Sequence, residues 1–283
     1  MTTTVATRQP HLTFGGILRS EWIKLRSLRS TLWCYLIFVA LTIGFAALVA
    51  VAAPTDGSSG GRGLIDPSVG VEPLWLGVAT VGVTFGQLVI AVLGALVITG
   101  EYGTGMIRST FAAVPKRLPA IAGKALVFGV VTVVVSAVAL IASALISAAI
   151  LTGRGRTLDL GDPPFWWGIL GAIGYLALIG ILSLAIGAII RVSSGSIATV
   201  VGIVFIAPIV LSLVGVLTQA AWAFNVAAFL PSNAGGQMYA YEPVASSEGG
   251  VLTLDATQGL LVMLAWVVVN GIAALVLVKR RDT

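Results

Sequence analysis

Residues 165–190 read FWWGILGAIGYLALIGILSLAIGAII, twenty-six positions without one charged side chain. Coiled as a helix at ~1.5 Å per residue, the stretch is long enough to cross about 30 Å of hydrocarbon. It is too long for a buried strand, and a helix satisfies its own backbone where lipid supplies no partners. Five further runs are as apolar, with Lys124 near the start of the third span as their one charge: 31–53, 74–99, 120–151, 196–217 and 258–278. The sequence therefore predicts an all-α integral membrane protein with six transmembrane helices. They form a single transmembrane domain over residues 31–283, preceded in residues 1–30 by a tail and an amphipathic interface helix. Of the 283 residues, 58% are hydrophobic and 10% charged, against about 25% charged in a soluble domain. Mean hydropathy is +1.04. The first run is expected to be retained, since its flank and its apolar stretch are both long for a signal peptide.

Lysine and arginine set the orientation. With the N-terminus inside, the cytoplasmic segments hold thirteen of the sixteen basic residues: Arg8, Arg19, Lys24, Arg26, Arg29, Arg108, Lys116, Arg117, Lys124, Arg191, Lys279, Arg280 and Arg281. The outer loops hold Arg62, Arg154 and Arg156. Both termini are thus expected in the cytoplasm, and the net charge of +5 reflects this asymmetry rather than a nucleic-acid partner. Of the acids, only Glu21, Glu101 and Asp282 fall inside. Lys124, near the start of the third run, is expected to snorkel to the headgroups. Trp33, Tyr35, Trp75, Trp166 and Trp167 are expected at the interfaces.

Much chemistry is missing. One cysteine, Cys34, and one histidine, His11, exclude a disulfide framework and argue against a Cys/His zinc site. No span carries a central ionisable residue of the kind that couples ions. There is no GxxxxGK[ST] nucleotide loop and no HExxH, nor a nucleophile–base set. The chain is expected to be no enzyme and to hold no cofactor of its own.

Two cytoplasmic segments invite partners. In residues 12–29, LTFGGILRSEWIKLRSLR, helical spacing gathers Phe14, Ile17, Leu18, Trp22, Leu25 and Leu28 on one side and Arg19, Ser20, Arg26 and Ser27 on the other, an interface helix. It serves as a simple anchor, or also touches a partner. Residues 100–119, GEYGTGMIRSTFAAVPKRLP, follow the second span. Glycines at 100, 103 and 105 break that span, Thr104 caps a short helix, Met106, Ile107, Thr110, Phe111 and Val114 share a face, and Pro115 ends it. This is a plain connector or a helix that docks in a partner's groove. Within the spans, Gly82 and Gly86 permit close helix approach, and Gln87 and Asn270 are candidate residues of a translocation path. Residues 220–230, closed by Pro231, Ser232 and Asn233, are too short to cross and read as a re-entrant or surface helix.

The stretches LRSEWIKLRSLRSTLW (18–33), EYGTGMIRSTFAAVPKR (101–117) and FLPSNAGGQ (229–237) resemble bacterial ABC-transporter permeases of the export class, in their actinobacterial branch. The resemblance covers nearly the whole chain. It implies a plasma-membrane permease, a homodimer or heterodimer of six-helix units, working with separate ATP-binding cassette subunits that bind ATP and Mg. It assigns the interface helix, with Arg19, Glu21, Trp22, Lys24 and Arg26, and the coupling segment, with Glu101, Tyr102, Ile107, Arg108 and Phe111, to contact with those subunits. Export direction follows from the resemblance alone. The competing expectation is a membrane anchor or sensor that recruits cytoplasmic proteins and moves nothing.

Overall fold

A computed structural model describes residues 13–53, 70–114, 117–241 and 250–280. Within them the chain is helical, with no strand. Helix α1 (Phe14–Ser27) meets α2 (Arg29–Ala52) through one extended residue, Leu28. Then come α3 (Val71–Thr80), α4 (Val83–Gly103), α5 (Met106–Ala113), α6 (Leu118–Gly153), α7 (Pro163–Ile190), α8 (Ser193–Val201), α9 (Ala207–Thr218), α10 (Ala221–Ala228), α11 (Pro231–Gln237) and α12 (Ala256–Arg280). Six segments are long and apolar enough to cross a membrane: α2, α3 with α4, α6, α7, α8 with α9, and α12. This is the architecture of a multi-pass membrane protein.

Helix α7 is the hub, with α4, α6 and α12 as its main neighbours, while α2 lies on α6 and α4. Small residues let these axes approach. A Cβ on Gly94 would stand 2.5 Å from the carbonyl oxygen of Gly180, so α4 and α7 touch backbone to backbone. Gly82, just before α4, meets the backbone of Thr42 of α2 in the same way, and Gly86 of α4 meets the Phe38 ring, as their spacing predicts. The mild polar residues of the third span, Thr132, Ser136, Ser143 and Ser147, are all fully buried. Tyr35 and Thr132 share a hydrogen bond of 3.0 Å between α2 and α6.

Several expectations need correction. Trp75 does not mark an interface: it is fully buried, stacks on Phe165 at 3.6 Å and donates its indole N–H to Ala144 O. Tyr35 is likewise interior, whereas Trp33 and Trp167 stand exposed. The second span runs as two helices hinged at Val81 and Gly82. It continues through Gly100 and Gly103, and only Gly105, at φ +73°, turns the chain. The fifth span contains a π turn at Gly202–Ile206. Pro208 has no N–H for the carbonyl one turn earlier, and the widened turn accommodates the lost bond. The short helix expected in residues 220–230 is α10, which ends before Pro231; that proline also opens a second short helix, α11, because its missing N–H costs nothing at a helix start.

Candidate coupling surface

Three helices bring their charges together, joined by a hydroxyl from a fourth, at the end of the bundle that carries α1. Glu21 and Lys24 lie one turn apart on α1, Glu101 closes α4, and Lys124 lies in the second turn of α6. Lys124 Nζ lies 2.6 Å from Glu21 Oε2 and 2.8 Å from Glu101 Oε1. Lys24 Nζ lies 2.8 Å from Glu21 Oε1 and 3.0 Å from Glu101 Oε1, and donates to Thr110 Oγ1 of α5 at 3.2 Å. Each carboxylate bridges both lysines, and two negative charges balance two positive ones. Glu21, Glu101 and Lys124 are buried, where an ion without partners costs several kcal/mol, on the order of the attraction that pairing restores. Lys24 alone reaches water. Burial works against its charge, but the two carboxylates outweigh that and hold its pKa above the ordinary 10.5.

This geometry overturns the expectation for Lys124. Its ammonium does not snorkel to headgroups; it is the interior half of the tetrad, because two carboxylates within 3 Å offer more than a partly wetted interface. It also revises the face that α1 buries. Ile17, Glu21 and Leu25, at i, i+4 and i+8, turn inward against α6. Trp22 is exposed beside Arg19 and Arg26, leaving an aromatic and basic surface suited to a headgroup layer. Thr13 caps the helix through Gly16 N.

A second set of contacts ties down α12. Arg191, in the left-handed conformation that ends α7, lies over the Tyr102 ring at 5.2 Å and donates to Leu277 O at 3.3 Å. Arg117 lies over Phe111 at 5.5 Å and donates to Val278 O at 3.2 Å. These carbonyls belong to the last turn of α12, where helical partners run out and the dipole is negative. Ser193 Oγ donates to Thr99 Oγ1 at 3.0 Å, fastening α8 to α4.

Between the two sets sits α5. Ile107, Phe111 and Val114 point into the chain itself, while Met106, Arg108, Ser109, Ala112 and Ala113 are exposed. Of the shared apolar face predicted for this helix, Ile107, Phe111 and Val114 pack at home, Thr110 is half-buried, and Met106 is left open with the opposite side. Thr104 does not cap α5: its hydroxyl donates back to Gly100 O, and the N-cap position belongs to Gly105. Pro115 and Lys116 lie outside the described residues.

Glu101 and Tyr102 are occupied within the chain, the one by lysines and the other by Arg191. The structure joins Glu21, Lys24 and Glu101 in one cluster and leaves Arg19, Arg26 and Arg108 on the surface. It does not bring the two path candidates together in one such cluster. Gln87 is buried, accepts a hydrogen bond from Tyr175 of α7, and donates to Thr84 O. Asn270, half-buried on α12, donates to Trp266 O of its own helix. Three participants were missed as more than positive charges: Lys124, Arg117 and Arg191. A signal was present, since two carboxylates embedded in a basic end, Glu21 and Glu101, require basic partners from the same end. In comparisons with known proteins, no family model matches the chain, and no curated protein matches it either.

Proposed function

We propose that the chain is the membrane-spanning permease subunit of an ATP-driven exporter, set in the plasma membrane with both termini cytoplasmic. One observation carries the reading. The two segments singled out as partner contacts are fixed into the spans, α1 and α5 through the tetrad to α4 and α6, and the α5 region through Arg117 to α12. A force applied to the open face of α5 is delivered to three spans at once. That is the mechanical requirement for a transporter whose sequence has neither an ionisable residue in the middle of a span nor a nucleotide loop, and which needs a separate ATPase that binds ATP and Mg. Arg108 and Met106 are the outward contacts in this scheme, with Arg19 and Arg26 on α1. Glu101, Tyr102, Ile107 and Phe111 act from beneath, holding α5 in place. The exposed apolar faces of α2, α9 and α12 supply surface for lipid and for the second permease of a dimer.

The test is affinity purification from native membranes, measuring the ATP-binding subunit that accompanies the chain, with ATP-dependent transport in proteoliposomes. Arg108→Glu is expected to lower association by about tenfold, as a central charged contact does when reversed. Unchanged association and transport, both in Arg108→Glu and on deletion of residues 104–114, would reject the coupling assignment. A chain that recruits the ATPase yet leaves solute distribution unchanged on ATP addition is the anchor instead.

A further inference from the structure

Between the end of α4 and the start of α5 lies a cup of about 390 Å³. The turn from Tyr102 to Gly105 lines it, and Arg108 of α5 and Arg191, which ends α7, supply its charge. No acid is among its described lining residues. The nearest carboxylate in sequence, Glu101, is spent on Lys24 and Lys124. Among the described residues neither arginine has an ion pair, and Arg108 has no hydrogen bond either. Two cations on one cup repel each other. An anion between them removes that repulsion and accepts a charge-assisted hydrogen bond from each.

Arg191 is already held for such a role. Its guanidinium lies on the Tyr102 ring, Nη2 donates to Leu277 O, Nε is buried, and Nη1 is left to donate into the cup. A planar group fixed in advance loses little freedom on pairing. The rim is bare as well. A Cβ on Gly103 would meet nothing within 4 Å, so no packing inside the chain requires this poor helix former at the end of α4. Its lack of a side chain keeps the cup open to something outside.

The surroundings narrow what that is. The volume equals about thirteen water molecules at ~30 Å³ each, room for one acidic side chain with water around it. The one aliphatic lining residue, Ile107, is buried, so no apolar wall is offered to the acyl chain of a lipid. Arg108 belongs both to the cup and to the exposed face of α5 with Met106 and Ser109, and a protein seated on that face covers the cup.

We propose that the cup receives an Asp or Glu side chain of the ATP-binding subunit, whose carboxylate bridges Arg108 and Arg191. This rests on the exporter reading, and it adds Arg191 to the contacts and an acidic group to the partner. Because Arg191 also holds Leu277 O, the bridge ties the partner to α7 and α12 as well as to α5.

The full chain is affinity-purified from native membranes, and the accompanying ATP-binding subunit is identified and quantified by mass spectrometry. Gly103→Leu fills the cup and keeps both arginines. Melting is expected to stay unchanged, while retention of the subunit falls about tenfold. Arg108→Lys keeps the charge and offers an amine to a zero-length carbodiimide, which joins amines to carboxylates. A cross-link from position 108 to an Asp or Glu of the subunit is expected, and it decides the matter however Gly103→Leu folds. Full retention in a stably folded Gly103→Leu, or no cross-link from position 108 to an acid of a subunit that does accompany the chain, overturns this inference and leaves the exporter reading standing. An anionic lipid held by the native chain and lost in Gly103→Leu, without that cross-link, gives the cup to the membrane and overturns the inference too. A chain that brings down no ATP-binding subunit overturns both.

Discussion

Replacing Lys124 with methionine keeps the length of the side chain and removes the ammonium at the centre of the tetrad. Glu21 and Glu101 then share Lys24 alone, whose side chain is 24% exposed, while their own are 3% and 5% exposed. At separations of 2.6 and 2.8 Å, each lost attraction amounts to about 6 kcal/mol at an effective dielectric of ~20. Relief of the lysine's own desolvation offsets part of this. Breaking a buried pair by deleting one partner leaves a net loss of about 3–5 kcal/mol. The double variant Lys124→Met/Glu101→Gln restores neutrality around the remaining Glu21–Lys24 pair. It should therefore lose less than the two single variants combined, by at least about 2 kcal/mol of coupling. Unfolding free energies from sodium dodecyl sulfate titration in mixed micelles measure all four corners of the cycle. A loss below about 1 kcal/mol in Lys124→Met, the range of exposed surface pairs, would refute the buried tetrad and return Lys124 to the headgroups.

Three further outcomes are expected. Lys24 titrates above 10.5 in the folded chain, so its stabilising contribution is complete below that value and disappears as pH rises through the raised one. The stability difference between the native chain and Lys24→Met should stay flat through neutral pH and shrink only above about 10.5, and a difference that fades below pH 9 in micelle titrations contradicts the pairing. Gly94→Ala places a methyl 2.5 Å from Gly180 O and should cost about 1–3 kcal/mol. Gly271→Ala, which meets nothing within 4 Å, should be neutral or gain up to about 1 kcal/mol; equal thermal shifts for the pair would contradict the close α4–α7 crossing. Arg191→Gln removes the donor to Leu277 O and the cation over Tyr102, and should speed proteolysis at the end of α12 while leaving α1 protected.

The six spans were legible because lipid makes a one-dimensional demand: an apolar run of sufficient length is nearly the whole signal. What length and hydropathy do not encode is which side of each helix faces protein. Trp75 and Trp167 look alike in sequence, each at the edge of a run, yet one is stacked on Phe165 in the core and the other is exposed. The difference comes from the facing of α7, which lays Phe165 on Trp75 and carries its own Trp167 on its outward side. The hinge at Val81 and Gly82 and the π turn before Pro208 were written in residues that a window of mean hydropathy averages away.

At the basic end the difficulty was of another kind. Grouping apolar residues on a helical wheel counts Glu21 as solvent-facing, since a carboxylate belongs outside unless something meets it. What meets it is Lys124, 103 residues along the chain, and no local pattern announces a pair at that distance. The pattern of charge does contain the information in another form. At an end dominated by cations, Glu21 on the helix before the first span and Glu101 at the end of the second are both buried, where leaving a carboxylate unpaired costs most. Two acids in such a place are best explained as internal partners for basic residues, and this reverses their expected role. They do not project outward; they hold α1, α4 and α6 together, and the surface that the proposed function assigns to a partner is the basic and apolar face around Arg108 and Met106. A variant at Glu101 should therefore alter association only as far as it displaces α5, in step with its effect on stability, whereas Arg108→Glu should weaken association at unchanged stability. Measuring both quantities on both variants separates a positioning residue from a contact residue, and equal stability losses would remove the distinction.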